Sequence, residues 1–249
     1  MKNINEKYQR YFYKENWYLG LTLTEIVESR IRYYYDKVWG NVPAKNGNPY
    51  MSHVPVLLTI GANSNLGIRR ILELGTGMFS TLTFLDRENF GKLECLNSIE
   101  TDHLWAKKIL DLVHNEERLN LKLTEYQVAD SLKDYDVDNY DLIFVDDSIT
   151  REDRSRTIET LGALNLKNAI IVIHDFDMPS YQKAARSFKN KYRFCGLYPN
   201  TGIVWNNKQF SIDFIKKTEV IIKSMRKKGL IPKDDEDAMK FYKILINSQ

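Results

Sequence analysis

Five short apolar runs in this chain each end at or beside an acid. Glu73 lies in "RRILELG", Glu100 closes "KLECLNSIE", Asp130 follows "LKLTEYQVA", Asp146 and Asp147 close "YDLIFVDD", and Asp175 follows His174 after "AIIVI". Carboxylates in such places grip sugar hydroxyls, take up protons or, with a histidine, hold a divalent cation. Acids favour loops and helix starts in any case, which accounts for two or three of the five. Five at one rim read as a site. Beside the first acid stands Gly75-Thr76-Gly77, then Ser80 and Thr81. An apolar strand, a glycine turn and a helix start, here with Ser80-Thr81 as its opening, together leave backbone N–H groups free to receive an anion.

Three ligand classes use that arrangement. A nucleoside triphosphate needs Lys-Ser/Thr after the glycines, and "GTGMFST" has no lysine. A dinucleotide favours a third glycine for close helix–strand packing, and Ser80 stands there. S-adenosyl-L-methionine offers a carboxylate to the helix start and a ribose diol to an acid after the second strand. Glu100 is that acid, 23 residues beyond Gly77.

The elements that must position these groups follow from periodicity. "RRILELG", "KLECLNSIE", "LKLTEYQVAD", "YDLIFVDD" and "AIIVIHD" read as strands, the last two nearly all apolar, as central parallel strands are. Between them "STLTFLDREN", "TDHLWAKKILDLVHN", "TREDRSRTIETLGAL" and "PSYQKAARSFKNK" read as helices. In the second, Thr101 or Asp102 is the cap, and Leu104, Trp105, Ile109, Leu112 and Val113 form the inner side. "YRFCGLY" and "GIVWNN" are separated by "PNT" and predict an antiparallel hairpin. The alternation predicts an α/β fold: a parallel sheet with helices on both faces and one reversed strand at its edge.

Before this core, "LTLTEIVESRIRYYYDKVW" carries Leu23, Ile26, Val27, Ile31, Tyr34 and Val38 at helical steps, and Pro55 fits the first turn of a short helix. The Tyr-rich N-terminal helices are either a lid over the site or a packed face. After the core, one helix presents Ile212, Ile215, Ile222 and Met225 on one side and ends at Gly229, and "PKDDEDAMKFYKILI" begins another. The pair packs on the sheet or makes a homodimer contact. The expected organisation is an N-terminal helical cap over 1–51, a core over 52–207 and a C-terminal helical extension over 208–249.

With 249 residues, 43% of them hydrophobic and a net charge of +3, the chain is long enough for a substantial core. The charge is too even to point to nucleic acid or a membrane surface. Cys95 and Cys195 lack metal spacing and read as buried thiols. No signal-like or membrane-length apolar run is present, so a cytoplasmic, soluble protein is expected.

"ELGTGMFST", "SIETD", "VADSL" and "YDLIFVDD", in that order and closed by the hairpin, resemble class I S-adenosylmethionine-dependent methyltransferases over about residues 52 to 206. The resemblance implies a Rossmann-like, seven-stranded, mostly parallel sheet in the order 3-2-1-4-5-7-6 with the last strand antiparallel. It also implies that Glu73, Gly75 and Gly77, with Thr76, Ser80 and Thr81, surround the methionine part of the cofactor. Glu100 would hold the ribose, Asp130 with Ser131 the adenine, and Asp146 would border the cofactor from the fourth strand.

"FVDDSITREDRSRTIETL…IVIHDFD" is similar to small-molecule O-methyltransferases, especially the branch acting on sugars of macrolide and aminocoumarin antibiotics. There, acids after the fourth and fifth strands hold a metal that activates the acceptor hydroxyl. Asp146, His174 and Asp175 stand at those places, although two acids are common where this chain has His174-Asp175. Three readings stay open: Mg2+ or another divalent metal on these residues, His174 or Asp175 as a base without metal, or neither. His53 is a further candidate for the acceptor pocket. The expected activity is methyl transfer to a small-molecule hydroxyl. Alternatives are an RNA or protein methyltransferase or an aminopropyl-transferring relative on the same fold, and a non-catalytic S-adenosylmethionine-binding protein.

Overall fold

Strands that alternate apolar and polar faces need cover on whichever face is apolar; here both faces are. In the computed structural model, which describes residues 23–39, 48–114, 116–147, 150–206, 212–232 and 234–239, seven strands form one sheet in the order β3-β2-β1-β4-β5-β7-β6. They are β1 (Arg70–Leu74), β2 (Cys95–Glu100), β3 (Leu119–Leu123), β4 (Leu142–Val145), β5 (Ile170–Ile173), β6 (Asn190–Phe194) and β7 (Thr201–Trp205). Every residue of β4 and β5 is buried. β1 to β5 run parallel, and β7 is antiparallel to both of its neighbours. The reversed strand is therefore not at the edge, as the hairpin suggested. β7 ("TGIVW") is nearly all buried and takes the inner place, while "NKYRF" carries charges suited to an open edge.

The helices are α1 (Leu23–Trp39), α2 (Val54–Gly61), α3 (Met78–Leu85), α4 (His103–Val113), α5 (Val128–Ser131), α6 (Arg151–Ala163), α7 (Pro179–Ala184) and α8 (Ile212–Lys227). Alternate strand residues go to opposite cores. Ile71, Leu142, Phe144, Ile170 and Val172 pack with α1, α2, α3 and α8. Leu72, Ile143, Val145, Ile171 and Ile173 pack with α5, α6 and α7. Each fully buried aliphatic side chain contributes about 1.5–3 kcal/mol. No helix among the described residues is long and apolar enough to cross a membrane.

Several local expectations shift. α3 begins at Met78 with Gly77 as its cap, so Ser80 and Thr81 lie inside the helix and do not open it. β3 stops at Leu123 because Thr124 turns the chain, its hydroxyl accepting from Tyr126 N; Asp130 falls in α5, beyond the strand. Leu104 is on the open side of α4, whose buried residues are Ala106 and Ile109. Neither cysteine is buried: Cys195 is exposed and Cys95 half-buried, and both are free. α8 packs on α1 and α2. Most of the second tail helix and the segment before Leu23 lie outside the described residues, so a lid made from that segment does too.

α1 is joined to the same core as β1 and β4 through Val27, Ile31 and Tyr34. A buried polar contact fixes it. Asp86, at the end of α3, lies 3.2 Å from Arg30 Nε and accepts a hydrogen bond from the Tyr34 hydroxyl. Removing one member of a buried ion pair leaves the other uncompensated. Asp86→Ala is expected to cost about 3–5 kcal/mol, read by denaturant unfolding. A loss below about 1 kcal/mol would mean that α1 docks by its apolar stripe alone.

Candidate functional site

Parallel register brings the strand ends level. Leu74 pairs with Ile99 on one side and Val145 on the other, and Val145 pairs with Ile173. The next residues, Gly75, Glu100, Asp146 and His174, therefore share one rim. A cavity of about 930 Å³ opens above it.

At one end the chain turns sharply. Gly75 has φ +84, and a Cβ there would come within 2.4 Å of the Asp146 carbonyl oxygen, so only glycine fits. Thr76 then donates to Glu100 Oε2 from both its backbone N (3.0 Å) and its hydroxyl (2.7 Å). Glu100 Oε1 accepts from the backbone N of Thr101 (2.7 Å) and of Asp102 (3.0 Å). The Trp105 indole donates to Thr76 O at 2.7 Å and forms a flat wall beside Glu100. Gly77, Met78 and Phe79, the start of α3, complete this end.

Glu73 lies beneath the turn, not in the cavity. It is fully buried and accepts from the hydroxyls of Ser80 (2.6 Å), Thr81 (2.9 Å) and Ser98. Burial raises its pKa to about 7 against the pull of those three hydroxyls. Ser80 and Thr81 are thus spent on Glu73. Asp130 pairs with Arg156 at 2.6 Å on the surface, and Ser131 is buried beside the Thr124 hydroxyl at 3.2 Å. Neither lines the cavity.

The other end holds a charged cluster. Arg154, 6% exposed, spans two carboxylates: Nη2 lies 2.9 Å from Asp146 Oδ1 and Nη1 lies 2.9 Å from Asp175 Oδ2. Its Nε donates to Asp147 O at 3.3 Å, and its guanidinium lies over the Tyr181 ring. Asp175 has φ +54, a left-handed conformation that Asp tolerates better than most residues. Asp147 is buried and accepts from the Thr157 hydroxyl at 2.6 Å; burial raises its pKa to about 7, opposed by that bond and by Arg154.

His174 sits behind this cluster and does not line the cavity. Its Nδ1 faces Asp146 Oδ1 at 3.2 Å, with Asp175 Oδ1 at 3.6 Å, and its Nε2 is 2.9 Å from the Ser52 hydroxyl. Burial works against its charge, but Asp175 and Asp146 outweigh it and raise the pKa to about 9. At neutral pH it is an imidazolium with both N–H groups engaged. Such a group has no lone pair for a metal or an acceptor proton. The Asp146–His174–Ser52 line resembles a nucleophilic triad, but Ser52 is fully buried and outside the cavity. His53 does line the cavity. Burial and then His174 lower its pKa to about 3, so its ring is neutral, packed against Phe144 and His174.

Of the residues chosen from sequence, Gly75, Thr76, Gly77, Glu100, Asp146 and Asp175 line one cavity. Glu73, Ser80, Thr81, Ser131 and His174 support it from behind or stand outside it, and Asp130 faces solvent. Arg154 and Trp105 were missed as site residues. Arg154 had a readable mark: positions 154, 157, 158 and 161 form the buried stripe of α6, and an arginine on such a stripe needs an anionic partner.

Asp146, His174 and Asp175 have potential ligand atoms within 4.8 Å of one another. They do not fit a divalent metal. Arg154 already takes one oxygen of each acid at 2.9 Å, and His174 Nδ1 is taken up by Asp146 at 3.2 Å.

No family model and no curated protein sequence matches the chain. Solved structures do overlay on it. Human methyltransferase-like protein 13 with S-adenosylhomocysteine shares 13% identity over 72% of this chain and 91% of that one, with a TM-score of 0.48. An N-methyltransferase from Bradyrhizobium japonicum with the same ligand shares 10% over 72% and 98%, TM-score 0.46. An O-methyltransferase from Bacillus cereus, also with S-adenosylhomocysteine, shares 15% over 74% and 90%, TM-score 0.45. These are likenesses of fold. The sheet order 3-2-1-4-5-7-6 is the one the class I methyltransferase resemblance implies, and the chain has that Rossmann-like fold.

Glu73 generates a pH prediction. Its pKa is raised in the fold, so the folded state keeps this proton over a range in which the unfolded chain loses it. Its contribution to stability is full below the ordinary value of 4.5 and is lost as pH rises towards about 7. Glu73→Gln cannot ionise and is expected to flatten that part of the stability–pH curve, by on the order of 1–3 kcal/mol between the two limits. Asp147 titrates alike in both proteins, so parallel curves for wild type and variant would show that Glu73 ionises normally.

Proposed function

We propose that the chain is an S-adenosylmethionine-dependent methyltransferase whose acceptor is a small molecule carrying a hydroxyl group. The observation that carries this reading is the cavity itself. One space of about 930 Å³ joins the glycine turn, Glu100 and Trp105 at one end to Asp146, Arg154 and Asp175 at the other. That volume suits a cofactor and a small acceptor, since ligand pockets run to about 1,000 Å³.

The residues present fit the cofactor. The N-terminus of α3, capped by Gly77, suits a carboxylate. Glu100, held in place by Thr76, Thr101 and Asp102, presents its carboxylate to the cavity for a ribose diol. Trp105 offers a flat face for a base, in the role first assigned to Asp130 and Ser131. S-adenosylmethionine supplies a methyl group on a positively charged sulfur. The acceptor oxygen would form a bond to that methyl carbon as the carbon–sulfur bond breaks, with its electron pair left on sulfur.

The acceptor's proton goes to Asp175. This carboxylate lines the cavity and is partly open, while Arg154 fixes its other oxygen. Tyr50, Met178 and Tyr181 give the acceptor an apolar and aromatic surround. His174 positions Asp146 and Asp175 and does not itself meet the acceptor.

Calorimetry is expected to show binding of S-adenosylhomocysteine and none comparable of NAD; tighter binding of NAD overturns the cofactor assignment. Glu100→Ala is expected to weaken S-adenosylhomocysteine about 10- to 100-fold, the worth of a charged hydrogen bond. Asp175→Asn is expected to slow transfer from labelled cofactor to hydroxyl acceptors by about 10²–10⁴-fold, with cofactor affinity within about threefold. Equal turnover in Asp175→Asn and wild type would place the base elsewhere, with His53 next.

A further inference from the structure

Two acids at the end of neighbouring buried strands repel each other unless a cation lies between them. Here Arg154 is that cation. α6 delivers it: Thr157, Ile158 and Leu161 face inward on the same stripe and fix the helix rotation, so that residue 154 enters the rim between β4 and β5. The guanidinium fork meets Asp146 Oδ1 and Asp175 Oδ2 at 2.9 Å each, and the Asp147 carbonyl holds the third nitrogen. Each carboxylate thereby commits one oxygen to Arg154, and His174 Nδ1, from the third residue of the cluster, faces the carboxylate of Asp146 at 3.2 Å.

We infer that Arg154 stands in for a divalent metal at this centre: it binds the two acids that would otherwise hold the ion, and excludes the ion by charge and by occupancy. Arginine suits the task because it stays protonated and its planar fork matches two carboxylates at once. A divalent cation entering beside it would meet a fixed positive charge at contact distance in a poorly solvated pocket, where repulsion is far stronger than in water. The inference does not depend on methyl transfer, since it concerns the acids and their cation alone.

The test is metal binding to the purified chain after chelator treatment, followed by electron paramagnetic resonance of added Mn2+ with no other ligand. Wild type is expected to take up no Mn2+ at this centre below about millimolar concentration, in line with a repelled ion. Arg154→Met keeps the bulk and removes the charge. It is expected to bind Mn2+ at least about 100-fold more tightly than wild type, and the double variant with Asp175→Asn to lose that gain. Arg154→Lys restores a positive charge and is expected to exclude the ion again. A merely structural arginine predicts none of these changes. Arg154→Gln repeats the test with a milder change should Arg154→Met fail to fold. Micromolar Mn2+ binding by wild type that Asp175→Asn abolishes would overturn the inference, as would folded charge-removing variants that bind no more Mn2+ than wild type.

Discussion

The site depends on one constraint, the parallel register that ends β1, β2, β4 and β5 at the same height. Leu74, Ile99, Val145 and Ile173 lie side by side, and the backbone bonds from Gly75 N to Ile99 O and from Asp146 N to Leu74 O carry the alignment one residue past the strands. A slip of one residue would turn every side chain to the opposite face. Glu73 would then leave its three hydroxyls, and Asp146 would leave the rim. The apolar alternation that feeds the two cores resists such a slip. Packing energy spread over two cores thereby fixes a few polar groups at one edge.

Those polar groups show how differently one fold can treat a carboxylate. Glu73 is buried among hydroxyls and becomes the weak acid that burial favours. Glu100 stays at the cavity wall because backbone N–H groups and Thr76 hold it. Asp146 and Asp175 are held at the rim by Arg154 and His174, which lie against both. For Asp146, burial pulls upward, but His174 and Arg154 hold the carboxyl well below the usual range. An uncompensated buried charge costs several kcal/mol, about what a domain can spare. Each acid has therefore found its own compensation, and only those facing the cavity remain open to a ligand.

The two histidines make the same point about position. His174 follows a buried strand, the usual place for a reactive group, yet both its nitrogens are turned to protein atoms. His53 precedes a short helix in a stretch with no motif, yet its ring borders the cavity. Between them they form an edge-on ring contact, 4.8 Å between centroids, with a cation on one side and a neutral ring on the other.

The sequence by itself determined the sheet, because alternation, run length and turn residues are local properties. It also determined the glycine turn and Glu100, since a left-handed residue and a strand-end acid leave marks at fixed spacing. Tertiary structure put β7 inside by the relative burial of β6 and β7, as the order implied by the family resemblance has it and the hairpin by itself did not say. It decided that Asp130 turns to Arg156 and away from the cavity, because Thr124 ends β3 early. It decided, too, that the cation between Asp146 and Asp175 is Arg154, which comes from a helix whose rotation is set by packing against the sheet. Spacing along the chain can show that acids gather at one rim. Which charge compensates them depends on distances of a few ångströms between segments far apart in sequence.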